Sequence, residues 1–243
     1  MHRPTASELL TLWERASGED SIDRALTLLS ACYAESREEL ERLTIGRRDA
    51  RLMHVYERLF GPAIEAFAEC PQCRERLEYS LSTRELAVPA TVATKTPLEM
   101  DVDGTYYRLR LPDSSDLRAV SQCGDEASAR RTLLQKCMEN ENLQQPDQLP
   151  ESTVNEIAAR LAQADPNAEI LIALSCCACR FNWQVILDIE KFLWVKIGAM
   201  ARRLLREVHA LARAYGWREH DILALSAVRR QAYLEMAGAW PTF

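Results

Sequence analysis

The sequence predicts an α+β protein that is mainly α-helical, with a small β region of hairpins and a C-terminal antiparallel helix pair. Three observations predict this fold. Apolar residues recur at helical spacing through the first third and the last 55 residues of the chain. Short alternating segments, typical of half-buried strands, lie between these regions. The 243 residues are 47% hydrophobic and 27% charged, which is enough apolar material for a globular core.

The N-terminal region, residues 1–69, is predicted to be helical. Ser7–Glu14 and Ile22–Cys32 each carry a set of apolar side chains at the spacing of one helix face. A third helix is predicted over Ile45–Ala68, because its apolar residues roughly follow the i, i+3, i+4 pattern. Gly61 and Pro62 are expected to break or kink this third helix.

Residues 70–111 are predicted to form the first part of the β region. Alternating apolar and polar residues over Leu77–Leu81 predict a half-buried strand directly after a Cys-Pro-Gln-Cys segment. A Pro- and Thr-rich connector follows at Val88–Pro97. Alternating segments then flank Asp103 and Gly104, and an Asp-Gly pair in this setting predicts a hairpin.

Residues 112–168 are predicted to return to helix. The capping residues of Asp113–Asp116 begin a helix that continues to Met138. A polar loop over Asn140–Pro150 separates it from the next helix, which opens at Glu151 and ends at Asp165.

Residues 169–188 are predicted to complete the β region. Ile170–Ser175 is a predicted strand that leads into a second cysteine cluster, Cys-Cys-Ala-Cys. Alternating residues from Phe181 to Leu187 lead out of that cluster.

Residues 189–243 are predicted to form the antiparallel helix pair. Asp188 caps the first of these helices, and Gly216 occupies the position expected of a C-terminal glycine. The final helix is predicted from about Arg218 to Met236, directly after a tight joint.

Two C-x-x-C pairs, Cys70 with Cys73 and Cys176 with Cys179, predict a structural zinc site. Each pair lies where a strand can turn back, a turn that we call a knuckle. Two thiolates of one knuckle can grip a metal, and two knuckles on hairpins of the zinc-ribbon kind complete a tetrahedral site. The knuckles are roughly 100 residues apart, compared with ~15–20 in a simple ribbon. The segment between them must therefore be an insertion of its own.

Other interpretations of the cysteines remain open at this point. Cys177 makes the choice of ligand ambiguous, although Cys177 and Cys179 form a C-x-C pair, which is less suited than C-x-x-C to bind one metal ion. A redox pair would need a βαβ setting that the sequence does not predict, and buried thiols are the simplest alternative. A catalytic zinc is not expected, because four cysteine ligands leave no position for water. Cys32, Cys123 and Cys137 lie in helical patterns and are predicted to be core residues.

The charge of the chain argues against two classes of partner. The net charge is −6 and the isoelectric point is about 5.4. Binding to nucleic acid or to an anionic membrane generally needs an excess of basic residues, so we expect neither. No apolar segment is long enough to predict a membrane-spanning helix, and the N-terminus lacks the apolar stretch of a secretory signal. We therefore expect a cytoplasmic protein with reduced thiols.

The sequence does not predict an enzyme or a small-molecule substrate. The closest two glycines, Gly46 and Gly61, are 15 residues apart, which excludes a P-loop and a dinucleotide-binding turn. The four histidines form no catalytic pair, and His209 is two residues from Glu207, so the two point to different sides of a helix. Pairs of arginines, such as those at 202–203 and 229–230, are scattered and are interpreted as solvated faces or ion-pair partners.

The C-terminal and middle segments carry a family resemblance. The C-terminal segments are Asp188–Trp194, Arg203–Ala212, Ala214–Trp217, Asp221–Ser226 and Arg229–Met236, and the middle segments are Tyr107–Pro112 and Ala129–Leu134. Together they resemble the baseplate hub assembly chaperones of T-even phage type, with relatives in phage tails and extracellular contractile injection systems. The two knuckles are similar to those of the zinc-ribbon-bearing branch. The resemblance covers about residues 70–237, and the N-terminal helices are less distinctive.

The resemblance implies a role in assembly, with no catalytic residues. We expect an assembly factor or structural component of the baseplate hub of a contractile particle, with hub and spike proteins as partners. The chain either leaves after the hub is built or stays in the particle. The sequence departs from the family pattern at Arg74, where a glycine often follows the first knuckle, and at the second knuckle, which lacks the usual Pro and Gly.

Two hypotheses from other classes stand beside this one. A zinc-ribbon regulator that binds nucleic acid would need a basic face and salt-sensitive binding. A thiol oxidoreductase would need a reactive cysteine of low pKa.

Overall fold

The computed structural model describes residues 1–86, 97–102, 104–139 and 149–238. The prediction of an α+β, mainly helical protein is confirmed, with small antiparallel two-stranded sheets and a helical C-terminal region. Two compact units are present, Met1–Ala34 with Glu190–Phe243, and Glu35–Ile189. In the described part of the chain, no helix has the length and apolar character that crossing a bilayer requires.

The first unit is helical throughout its described elements. Those elements are α1 (Ala6–Ala16), α2 (Ser21–Cys32), α9 (Ile189–Tyr215), α10 (Glu219–Ala224) and α11 (Ala227–Met236). Thr5 and Glu8 form a capping box at α1, and the Asp20 carboxylate accepts two backbone N–H bonds at the start of α2. Buried leucines such as Leu26 and Leu193 build its core.

The second unit combines short helices with three hairpins. Its helices are α3 (Arg37–Glu41), α4 (Ile45–Phe60), α5 (Thr83–Leu86), α6 (Ser114–Val120), α7 (Glu126–Cys137) and α8 (Glu151–Ala164). Its strands are β1 (Ala63–Glu69), β2 (Arg76–Ser82), β3 (Leu98–Val102), β4 (Thr105–Leu109), β5 (Leu171–Ser175) and β6 (Asn182–Ile186). They pair as β1–β2, β3–β4 and β5–β6, each antiparallel.

The segment between the two knuckles has a hydrophobic core of its own. The β3–β4 hairpin, α7 and α8 bury apolar side chains against one another, namely Val102, Tyr107, Leu109, Leu111, Leu134, Val154, Ile157 and Leu161. Among the described residues, this cluster contains no residue of the two knuckle hairpins.

Two polar contacts fix the helices of the second unit. The Asp165 carboxylate accepts a hydrogen bond of 2.8 Å from the backbone N–H of Gly46, at the start of α4. A Cβ atom at Gly46 would overlap Oδ1 of Asp165 and lie 2.9 Å from the backbone nitrogen of Ala168, so only glycine fits. Arg110 donates two hydrogen bonds of 2.6 and 2.7 Å to the buried carboxylate of Asp116.

The structure corrects the predicted helix over Ile45–Ala68. That helix ends at Phe60, and Gly61 adopts a φ of 86°, which favours glycine. Ala63–Glu69 is strand β1, paired along its length with β2. Ile64 is buried and Phe67 is exposed, so the apolar residues that matched a helical spacing lie on opposite faces of a strand.

Smaller differences concern helix boundaries. The helix predicted from Asp113 to Met138 is two helices, α6 and α7, and the predicted final helix is divided into α10 and α11. The short helices α3 and α5 were not predicted. Asp103 of the predicted hairpin turn, residues 88–96 of the connector and residues 140–148 of the polar loop lie outside the described residues.

Candidate metal centre

The two knuckles are the turns of two hairpins in the second unit. The first knuckle joins β1 to β2, whose last register pair is Glu69 with Arg76. The second joins β5 to β6, whose last pair is Ser175 with Asn182. Each turn therefore has the same length, and each begins with the first cysteine of its C-x-x-C pair.

The knuckles have the same backbone geometry. The N–H of Cys70 donates to the carbonyl of Glu75 at 2.9 Å, and the N–H of Arg74 donates to the carbonyl of Cys70 at 2.9 Å. In the second knuckle, Cys176 donates to Phe181 and Arg180 donates to Cys176, both also at 2.9 Å. Two segments more than 100 residues apart thus form the same kind of turn.

Arginine occupies the left-handed position of both knuckles. Arg74 has a φ of 62° and Arg180 has a φ of 61°. A non-glycine residue pays roughly 1 kcal/mol or more for this conformation. Arginine therefore stands where the family pattern has glycine, yet the backbone follows the same path. Each arginine adopts the left-handed conformation that a glycine would favour.

The structure brings together Cys70, Cys73, Cys176 and Cys179, whose sulfur atoms all lie within 4.8 Å of one another. The Sγ of Cys70 is 3.6 Å from that of Cys179, and the Sγ of Cys73 is 3.5 Å from that of Cys176. A tetrahedral site with metal–sulfur bonds of about 2.3 Å has sulfur–sulfur edges of about 3.8 Å. A disulfide would need about 2.05 Å. The sulfurs are therefore spaced for a shared metal ion.

Each knuckle contributes one buried cysteine and one that is more accessible to solvent. Cys70 and Cys176 are buried, whereas Cys73 and Cys179 lie nearer the surface. Cys177 is exposed and its sulfur is not part of the cluster. The geometry thus favours the C-x-x-C pair over the C-x-C alternative in the second knuckle.

The four thiols affect one another's ionisation. The backbone N–H of Cys179 points at the Cys176 sulfur at 3.5 Å, and this and a second backbone N–H lower the pKa of Cys176 to about 7. A backbone N–H from Glu75 acts in the same direction on Cys73. Desolvation and the neighbouring thiols outweigh it and raise the pKa of Cys73 to about 12. Four thiols this close can all be deprotonated only with a cation between them, and a bound divalent metal would supply that charge.

The other cysteines and the histidines do not join this centre. Cys32 and Cys137 are buried, as expected of core residues, and burial raises their pKa values to about 11 and about 12. Cys123 is half-buried between α6 and α7. The described residues contain no histidine in a potential metal-binding group.

One comparison with known proteins identifies the family. A family model described as "T4 bacteriophage base plate protein" matches residues 5–194.

The chain belongs to this T4-type baseplate family.

Both knuckles and the insertion between them lie within the matched residues, and so do the N-terminal helices that the sequence left less distinctive. Most of the C-terminal segments that carried the resemblance lie beyond residue 194. No curated protein and no solved structure gave a significant match.

Proposed function

We propose that this chain is a non-enzymatic assembly factor or structural component of the baseplate hub of a contractile phage-tail-like particle. Its membership of the T4-type baseplate family is the observation that carries the proposal, because proteins of a baseplate act through contacts with other baseplate components. The hub and spike proteins of the particle are its partners, and it meets them in the cytoplasm, where the particle is assembled.

The zinc ion in this proposal is structural. Cys70, Cys73, Cys176 and Cys179 are its ligands, and their sulfur positions support this assignment. Tetrahedral sets of four thiolates are typical of zinc and of iron–sulfur sites, and zinc carries no redox chemistry. The ion joins two hairpins that flank an insertion with its own core. Its function is to hold the two ends of that insertion together.

The metal site also supports a role without catalysis. Four protein ligands fill a tetrahedral coordination shell, so the site offers no position for a substrate or an activated water. The chain then acts through its surfaces, with the metal maintaining their shape.

Deletion of the gene in the cells that encode it tests the proposal. We expect a large loss of complete contractile particles, restored by the wild-type gene supplied in trans, with tail proteins present at unchanged levels. Electron microscopy of lysates measures the particles, and immunoblots measure the tail proteins. A normal particle yield in the deletion strain contradicts the proposal. A loss of the tail proteins and their transcripts would instead favour the zinc-ribbon regulator.

A further inference from the structure

One face of α9 carries a line of exposed basic side chains, which we call the basic stripe. It consists of Arg202, Arg206, His209 and Arg213, all of them exposed. At 100° per residue these four positions fall within an arc of about 60°. They extend about 16 Å along the helix axis. The stripe is therefore straight and narrow.

The arginines of the stripe lack the ion pairs that neighbouring basic residues make. Arg203 and Arg230 both contact the carboxylate of Glu207, each at 2.9 Å. Among the described residues, by contrast, Arg202, Arg206 and Arg213 form no ion pair. Like charges at i and i+4 destabilise a helix. The stripe thus keeps uncompensated positive charge in a chain whose net charge is −6.

The stripe continues into an exposed apolar segment towards the start of α9. Val195 is 58% exposed and lies on the same arc, and Ala199 is exposed about 20° beside it. An exposed apolar residue in line with a row of guanidinium groups suits a partner that has both carboxylates and an apolar side chain. A phosphate backbone would use the charges and leave Val195 without a counterpart.

We propose that the basic stripe, with Val195 and Ala199, docks an acidic amphipathic segment of another protein of the baseplate. The carboxylates of that segment lie against Arg202, Arg206 and Arg213, and an apolar side chain covers Val195. This inference rests on the proposed function for the identity of the partner as a baseplate protein. The docking residues lie beyond residues 5–194, so the surface is not part of the region that the family model matches.

Site-specific photo-crosslinking tests which molecule occupies the stripe. Benzoylphenylalanine replaces Ala199 in the full chain, produced in the cells that assemble the particle. Thr11, an exposed residue of α1, is the control position. We expect an adduct from position 199 alone, and peptide sequencing should place it in a particle protein, beside Asp or Glu residues spaced three or four apart. An adduct with nucleic acid, with a basic or neutral segment, or with nothing overturns the inference.

Charge reversal tests whether the stripe is used in assembly. The triple variant Arg202→Glu, Arg206→Glu, Arg213→Glu is compared with a matched reversal of Arg42, Arg47 and Arg58, which are also exposed and form no ion pair among the described residues. Each triple changes the net charge by the same amount, and each includes one arginine in the last turn of a helix. We expect the stripe reversal to restore particles in the deletion strain at least ten-fold less well than the control reversal.

Two further variants separate docking from folding. Replacing the same three stripe arginines with lysine keeps the charge and should restore wild-type particle yield. Replacing them with glutamine removes the charge without reversing it, and it should lose both the adduct and the particles while melting at the wild-type temperature. The deletion strain must first be shown to make no particles. If the Glu and Gln variants then fully restore particle yield, the inference is overturned and the proposed function stands. Particles in the deletion strain itself overturn the proposed function.

Discussion

Replacing the Cys176 thiol with a serine hydroxyl should release the metal and lower the free energy of unfolding by about 4 kcal/mol. The side chain is 2% exposed, and its sulfur lies 3.5 Å from that of Cys73, 103 residues away in sequence. A metal held by both residues closes a loop of that length. By the chain-entropy estimate for a covalent cross-link, closing a loop of roughly 100 residues is worth about 4.7 kcal/mol. That value sets only the scale of the effect, because the metal binds when the folded chain has brought both hairpins together, so its binding free energy adds to the stability of the fold.

The assay combines metal analysis with denaturant unfolding. Mass spectrometry of the metal in purified wild-type protein should give one zinc per chain, and the Cys176→Ser variant should give much less. Guanidinium unfolding followed by circular dichroism gives the difference in stability. Cys177→Ser is the matched control, because Cys177 is adjacent, exposed and outside the sulfur cluster. The double variant of Cys73 and Cys176 should lose little more than Cys176→Ser alone, since one link accounts for both.

Two results would show that these four cysteines do not bind a stabilising metal. The first is wild-type protein that contains no stoichiometric metal and unfolds identically with and without a chelator. The second is a Cys177→Ser variant that loses as much metal and stability as Cys176→Ser, which would mean that the sulfur cluster does not define the ligands.

Three further substitutions, two of them with a control substitution, test contacts within one unit or the other. Gly46→Ala should destabilise the protein by about 3 kcal/mol, because the new methyl group overlaps a buried carboxylate, while Gly124→Ala, with open space around it, should change little in the same thermal melt. Asp116→Asn should cost about 3 kcal/mol at pH 7. Burial raises the pKa of Asp116, but its bonds from a guanidinium and a backbone N–H outweigh burial and lower it. The stabilisation is therefore present above the unfolded-state pKa and is lost as pH falls through the lowered folded-state pKa, so the variant and wild type should converge in acid melts. Glu139→Gln, which breaks an exposed pair, should cost under about 1 kcal/mol. Glu207→Gln should cost about 3 kcal/mol in denaturant unfolding, because it leaves a buried guanidinium without its carboxylate; an unchanged midpoint would contradict this.

The knuckles were predictable because their signal is local. A C-x-x-C pair needs only a tight turn, and the alternation over Leu77–Leu81 marks the strand that follows the first turn. The same holds for the cap at Asp113, whose side chain accepts backbone N–H bonds from the residues just after it. The sequence could also propose which cysteines meet, because a four-thiolate site needs two such turns.

Strand β1 was missed because its pairing is not local. Ile64 and Phe67 continue the helical spacing of α4, so the apolar pattern alone favours a helix past Gly61. The pairing with β2 decides the matter, and it follows from the knuckle itself, since a hairpin turn needs a strand on both sides. The alternation of Ile64, Ala66 and Ala68 was a signal that could have shown this strand.

Contacts between residues that are far apart in the chain could not be predicted from the sequence. Gly46 looks like an unfavourable residue near the start of a helix, yet it fits because Asp165 approaches from 119 residues away. The arginines of α9 looked scattered as sequence pairs. The structure distinguishes paired from unpaired arginines. Arg203 donates a hydrogen bond to Glu207, whereas Arg202 is exposed and forms no ion pair among the described residues. Spacing alone cannot tell a paired arginine from one that is available to a partner.

Quantitative mass spectrometry of this chain tests whether it has a role in the baseplate. The chain is measured in purified mature particles and in the soluble pool of the same cells, together with the hub and spike proteins. We expect either a fixed copy number per particle or a soluble complex with hub or spike proteins, and the two outcomes separate a permanent component from an assembly factor. Absence of the chain from particles, together with a soluble pool in which no tail protein accompanies it, would contradict a role in the baseplate.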